Sequence, residues 1–148
     1  EQSGTGGALW NARESLEDEF VLLWGDDYHP IDYSSLVEHH RERSSPLTMT
    51  VTTEHECMNL HHENGRLVQY SKQQDPPSTF NGYEAGTSIV SKSVVLKHGK
   101  DGPWSWENTI YSAMANEIHV HLDSTKFWDM GTPERLSKLT EFLKTKGA

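Results

Sequence analysis

Residues 20–24, Phe-Val-Leu-Leu-Trp, run straight into Gly25-Asp26-Asp27-Tyr28-His29-Pro30, and this junction constrains the fold more than any other part of the chain. A continuous apolar run of that length, bounded by turn residues, reads as a strand buried on both faces. Gly25, the two aspartates and Pro30 stop it. A helix follows, with Asp32 as N-cap and Ile31 and Leu36 as a hydrophobic staple across the cap. It runs through residues 34–43 to the break at Ser44-Ser45-Pro46, after which the β-branched content of residues 47–53 predicts another strand. Strand, helix and strand in this order imply a parallel pair joined by a right-handed crossover.

Downstream, residues 57–62 and 66–72 flank Glu63-Asn64-Gly65 and read as an antiparallel hairpin. Residues 75–82 read as a loop, 83–96 as resumed β structure, 105–115 as a helix and 117–122 as an alternating strand. Residues 132–147 close the chain as a helix capped by Thr132, with Pro133 in its first position. At the other end Ala8, Leu9, Ala12 and Leu16 recur at helical spacing after a glycine-rich start. The pattern is that of a single mixed α/β domain over residues 1–148, without internal repeats.

Charge and composition remove several classes of partner. With 13 basic against 22 acidic residues the net charge is −9, and no basic stripe is available for a nucleic-acid backbone. No apolar run reaches the roughly 18 residues of a membrane span, and the start has no signal-peptide hydrophobic region. Cys57 is alone, so no internal disulfide forms, which fits a reducing, cytoplasmic location.

Ligands of open α/β sheets bind beyond the carboxyl ends of strands, where Asp26 and Asp27 stand. Asp129 follows the aromatic pair Phe127-Trp128 and precedes Gly131 and a helix start, so two strand-end aspartates could converge on Mg²⁺. The plainer alternative is that these aspartates only terminate strands or cap helices. Nine histidines, among them His119 and His121 and those of residues 55–62, raise zinc, but no four ligands have a structural-zinc spacing. Solvated histidines are the plainer reading, with His119 and His121 alternating with core Val120 and Leu122, and with residues 38–43 as a solvated helix face. Trp10, Trp24 and Trp128 are expected in the core, and Trp104 and Trp106 over a loop.

Four segments in one order carry a resemblance across essentially the whole chain: residues 3–9, 20–43, 83–95 and 127–136. They resemble the glycine-rich base-contacting loop, the Gly-Asp strand with its helix, the Ala-Gly sugar-contacting strand and the Asp-x-Gly-Thr-Pro-Glu segment of sugar-1-phosphate nucleotidyltransferases. The resemblance implies a partial Rossmann-like nucleotide-diphospho-sugar transferase fold, with a mixed, mostly parallel sheet flanked by helices. It makes Asp26 and Asp129 the metal-binding aspartates on which catalysis depends, with Mg²⁺ as cofactor. Gly4 would approach the nucleotide base, Lys72 the sugar phosphate, and Glu84 and Gly86 the sugar. The glycine-rich start then reads as a family loop, with a linker scar as the alternative.

The implied reaction joins a nucleoside triphosphate and a sugar 1-phosphate into a nucleotide sugar, releasing pyrophosphate. This sequence departs from the family in three ways. It corresponds to the C-terminal part of the catalytic domain, without the upstream phosphate-binding loop. Ser71-Lys72-Gln73 stands where the family has Glu-Lys-Pro, and Glu84 where it has Asn. Turnover is therefore expected of a longer chain. The alternative is a non-catalytic nucleotide-sugar-binding or regulatory subunit, with a second copy covering the exposed sheet edge.

Overall fold

The structure, a computed structural model describing residues 2–72 and 76–146, contains one six-stranded sheet. Its strands are β1 (Glu19–Leu23), β3 (Leu47–Thr52), β4 (Leu60–Glu63), β5 (Arg66–Tyr70), β6 (Tyr83–Ser91) and β7 (His119–Leu122), in the spatial order β1, β6, β3, β7, β5, β4. A separate ribbon pairs β2 (Asp27–Tyr28) with β8 (Trp128–Asp129). The helices are α1 (Gly4–Ala12), α2 (Tyr33–Arg43), α3 (Lys92–His98) and α4 (Pro133–Lys146), with a π-helical turn at Glu107–Tyr111. Gln73 and the ends of the stretches 75–82 and 132–147 lie outside the described residues.

The mixed α/β sheet is present, but its ladders are mostly antiparallel rather than mostly parallel. Among the described residues only β3 and β7 pair in parallel. β1 and β3 do point the same way, as the strand-helix-strand order demands, yet they are not neighbours: β6 runs between them, antiparallel to both. Both β5 and β6 are reversed and stand among strands of the common direction, so most neighbours are opposed.

The same insertion changes what is buried. With a partner on one side only, β1 is an edge strand, and its Val21 and Leu23 are 42% and 51% exposed. The run buried on both faces is β3, every residue of which is buried, together with residues 84–90 of β6. An apolar run reports hydrophobicity; the number of neighbouring strands is a tertiary property.

Local signals fare better. Asp32 caps α2, accepting from the backbone N–H groups of Ser34 at 2.9 Å and Ser35 at 3.3 Å, and Ile31 and Leu36 are buried with Ile89. Asn64 and Gly65, at φ +51° and +71°, form the tight turn between β4 and β5, a conformation suited to Asn-Gly. Thr132 Oγ1 accepts from Arg135 N at 3.3 Å at the start of α4.

Several expectations fail for packing reasons. Strand structure ends at Ser91, and residues 92–98 turn into α3 so that Val94 and Val95 reach the core, against their β-branched preference. His40 is buried, not solvated, with Nδ1 2.9 Å from Thr48 Oγ1. Leu122 is 55% exposed, while Val120 beside it is buried. The tryptophans divide differently from that expectation: Trp104 and Trp106 are in the core with Ile110 and Tyr111, Trp10 and Trp24 are half-buried and packed against it, and Trp128 is half-buried. Among the described residues no helix is long and apolar enough to cross a membrane.

The glycine-rich start is itself helical, because α1 begins at Gly4 rather than after the glycines. A Cβ on Gly6 would lie 2.1 Å from the Trp104 ring, and Gly6 N–H donates to Trp104 O at 3.0 Å. These glycines let α1 lie directly on the tryptophan turn. Gly6→Ala should therefore destabilise the fold by about 1–3 kcal/mol through overpacking, read as a lower midpoint in urea with an unchanged slope.

Candidate functional site

The cleft follows from a mismatch in strand length. β6 overruns the carboxyl end of β1: Leu23 pairs with Thr87, and beyond it Trp24 N–H donates to Gly86 O at 3.0 Å. The chain then turns through Gly25 and Asp26, with Asp27 N–H donating to Trp24 O, and enters the β2/β8 ribbon. Above this overrun lies a cleft of about 710 Å³.

Asp26, Asp129, Lys72 and Glu84 all line that cleft, although they come from four separate segments. Gly4 and Gly86 are not among its lining residues. Gly4, at φ +68°, faces the backbone of Trp104, 2.5 Å from a would-be Cβ, while its neighbour Thr5 lines the cleft. Gly86, at φ +74°, backs Asp27: a Cβ there would meet Asp27 Oδ2 at 2.1 Å. Both glycines thus have packing reasons that do not involve a ligand.

The ribbon sets the electrostatics. Asp27 stands directly opposite Asp129 in the β2/β8 register, an unfavourable cross-strand pairing of like charges. A side-chain carbon at Gly131 would lie 3.1 Å from Asp129 Oδ1 and 3.3 Å from Asp26 Oδ2, so the bare glycine leaves room for two carboxylates to flank one spot. Burial first, then Asp26 and Asp129, push the Asp27 carboxyl up to about 6. Asp129 is partly neutralised, since Oδ1 accepts from Gly131 N–H at 2.7 Å and Oδ2 pairs with Arg135.

Whether this set suits a cation can be judged from its donors. The carboxylate oxygens are hard ligands, and the Asp26 and Asp129 charges add to burial in raising the Asp27 carboxyl, a repulsion that a divalent cation relieves. Among the described residues no three of His, Cys, Asp or Glu form a metal cage. Asp26 and Asp129 would supply two oxygens, leaving other positions to phosphate or water, the usual arrangement for Mg²⁺. The donors fit that ion.

Glu84 is buried on the cleft floor. Trp24 Nε1 donates to both its oxygens at 3.2 Å, Gly86 N–H donates to Oε1 at 3.1 Å, and Asn59 Oδ1 accepts from its backbone N–H at 2.9 Å. Burial outweighs these bonds and, with Asp27 adding repulsion, pushes the carboxyl up to about 7. One wall is aromatic: His55 stacks on Tyr83 with centroids 3.7 Å apart, and Phe127 lies 5.5 Å from Tyr83 at 15°.

Sequence reasoning missed the crowding of Asp27, the Arg135 partner of Asp129, the aromatic wall and Glu107, which pairs with Lys72. Phe127 and Arg135 sit within one short segment around Asp129 and could have been found from it. His55 and Glu107 carry no local signal, because only the tertiary fold brings them to the cleft.

Glu84 offers a direct check on this electrostatics. Its raised pKa means the folded state holds a proton that the unfolded state releases between about pH 4.5 and 7, so the cost of its charge grows as pH rises through that window. Glu84→Gln keeps an oxygen for Trp24 and Gly86 and removes the charge. Its melting temperature should match the wild type near pH 4.5 and exceed it above pH 7, by up to an amount on the order of 3 kcal/mol in stability.

No protein-family model matches the chain. A Sulfolobus acidocaldarius protein assigned as a mannose-1-phosphate guanyltransferase is 27% identical over 90 residues, covering 59% of this chain and 25% of that protein. HddC from Yersinia pseudotuberculosis, also solved in complex with GMP-PN, matches 97% of this chain and 64% of its own at 23% identity, with TM-scores of 0.77 and 0.76. A Bacillus anthracis protein assigned as a glucose-1-phosphate thymidylyltransferase matches 96% of this chain and 61% of its own at 17% identity, with a TM-score of 0.78. The inositol-1-phosphate CTP transferase from T. maritima matches 97% and 62% at 18% identity, with a TM-score of 0.76. The chain therefore has the fold of the sugar-1-phosphate nucleotidyltransferases, and it spans less than two thirds of the length of these neighbours.

Proposed function

We propose that the cleft is the substrate site of a Mg²⁺-dependent sugar-1-phosphate nucleotidyltransferase, with turnover belonging to a longer chain. The observation that carries this reading is the convergence of Asp26, Lys72, Glu84 and Asp129 on one cleft of a fold shared with such enzymes. A cation held by Asp26 and Asp129 would neutralise and orient the phosphates. Lys72 would offer its ammonium to the sugar phosphate as a point charge. Glu84 would accept a hydroxyl of the sugar, and the His55, Tyr83 and Phe127 rings would cover an apolar face of the ligand. An oxygen of the sugar phosphate then bonds to the α-phosphorus as the bond to the bridging oxygen breaks and pyrophosphate leaves. The chain's own contribution is positioning and charge stabilisation.

Charge balance favours a second reading for this chain by itself. Among the described lining residues Asp26, Asp27, Glu84, Glu107 and Asp129 face only two fixed cations, Lys72 and Arg135, and each cation already pairs with a carboxylate. Such a cleft suits a diphosphate carried with its metal better than a bare triphosphate. On this reading the chain binds nucleotide sugars without turning over.

Both readings require metal-dependent binding at the same aspartates. Calorimetric titration with a panel of nucleotide sugars of different base and sugar should find at least one that binds with Mg²⁺ and weakens by about tenfold or more in Asp26→Asn. A wild-type chain that binds none of them, or equal binding by the variant, contradicts the assignment. Pyrophosphate release from a nucleoside triphosphate and a sugar 1-phosphate, measured for a longer chain that includes this one, separates the two readings: release supports the first and its absence the second.

A further inference from the structure

Glu107 touches no ligand in that reading, yet both oxygens of its carboxylate are hydrogen-bonded. It opens the π-helical turn and is 7% exposed. Its Oε1 accepts from Lys72 Nζ at 2.5 Å. Its Oε2 accepts from Thr5 Oγ1 at 2.8 Å and from Ser105 Oγ at 2.9 Å. The supports are themselves fixed: Thr5 Oγ1 accepts from Trp106 N–H at 2.9 Å, and Ser105 Oγ from Asn108 N–H at 3.2 Å. Three segments distant in sequence therefore meet at one carboxylate.

Lys72 is the opposite kind of group. It lies beyond the last residue of β5, its side chain is 54% exposed, and an ammonium has three N–H donors, of which Glu107 takes one. A long, half-exposed lysine left to itself samples many rotamers, and a phosphate that binds it must pay for ordering it. Anchoring one N–H to a rigid carboxylate leaves the other two aimed from a fixed point. A π-helical turn at that anchor is in keeping with the frequent use of such turns at functional sites.

We propose that Glu107 is a positioning residue: it holds Lys72 Nζ at the cleft for the phosphate of a sugar 1-phosphate and, through Thr5, ties that ammonium to the glycine-rich segment on the nucleotide side. This rests on the reading of Lys72 as the sugar-phosphate ligand. Burial raises the Glu107 carboxyl, but Lys72, the residue's own backbone N–H and the Thr5 hydroxyl outweigh it and hold the group below the usual carboxylate range, so the anchor stays ionised. The coupling is geometric as well as electrostatic, because Thr5 precedes the Gly6 and Gly7 contacts that seat α1.

Charge alone and positioning predict opposite signs, which makes the test decisive. Removing a carboxylate from an acidic cleft strengthens anion binding if only charge matters. Loss of a lysine anchor weakens it. Titrations of the full chain with inorganic phosphate and with glucose 1-phosphate compare the wild type, Lys72→Ala, Glu107→Gln and the double variant. The expected result is a loss of about tenfold in Lys72→Ala, about fivefold in Glu107→Gln, and no further loss when both are combined. Glu107→Asp keeps the charge but shortens the reach, and should lose affinity as Glu107→Gln does, so a poorly folded Gln variant does not decide the matter. Equal or tighter phosphate binding by both Glu107 variants, or a fully additive double variant, overturns the proposal while leaving Lys72 in its role. Unchanged binding in Lys72→Ala, or none in the wild type, overturns the role of Lys72 and this proposal with it.

Discussion

The site depends on a repulsion that the backbone enforces. The β2/β8 ribbon sets Asp27 opposite Asp129 and holds Asp26 beside them, through a backbone bond from Met130 N–H to Asp26 O at 2.5 Å. Left to themselves three carboxylates would separate; here they are fixed by the ends of β1 and α4, the same elements that carry the fold. The result is a place where negative charge is concentrated and only partly answered by Arg135. Burial does most to raise the Asp27 carboxyl to about 6, and the charges of Asp26 and Asp129 add to it. In the proposed site a bound cation would relieve that repulsion: the cost is met in folding, and binding would return it.

β6 connects this charge to the rest of the molecule. It lies between β1 and β3, overruns β1 to make the cleft floor, gives up a side chain at Gly86 to admit Asp27, and presents Glu84 from beneath. The opposite wall is organised by Glu107, with Lys72, Thr5 and Ser105 around it. One wall of the cleft is thus acidic and crowded, the other a bonded network ending in an ammonium. A ligand with a phosphate at one end and a metal-bound phosphate at the other matches that polarity.

What could be read in advance was local. The cap at Asp32, the Asn64-Gly65 turn and the Thr132-Pro133 start depend on a few adjacent residues, and each is where the pattern put it. The motifs bearing Asp26 and Asp129 were legible for the same reason. Strand order was not, because β6 reaches its place between β1 and β3 from far along the chain, and no periodicity records that. The same limit explains the exposed Leu23, the buried His40 and the burial of Trp104 and Trp106 in the core. Gly4 and Gly86 drew attention as ligand contacts; their glycines are required first by close approach to Trp104 and Asp27.

The central claim is that Asp26 and Asp129 form a cation site completed by a phosphate ligand. Crystals soaked with Mn²⁺ as a substitute for Mg²⁺, together with a nucleotide sugar, test this most directly through the anomalous signal of the metal. The account predicts one peak within bonding distance of carboxylate oxygens of both Asp26 and Asp129 and of a ligand phosphate, with Arg135 withdrawn from Asp129. A ligand bound in the cleft with its metal held elsewhere, or with the Asp129–Arg135 pair intact and no metal beside it, would contradict the account.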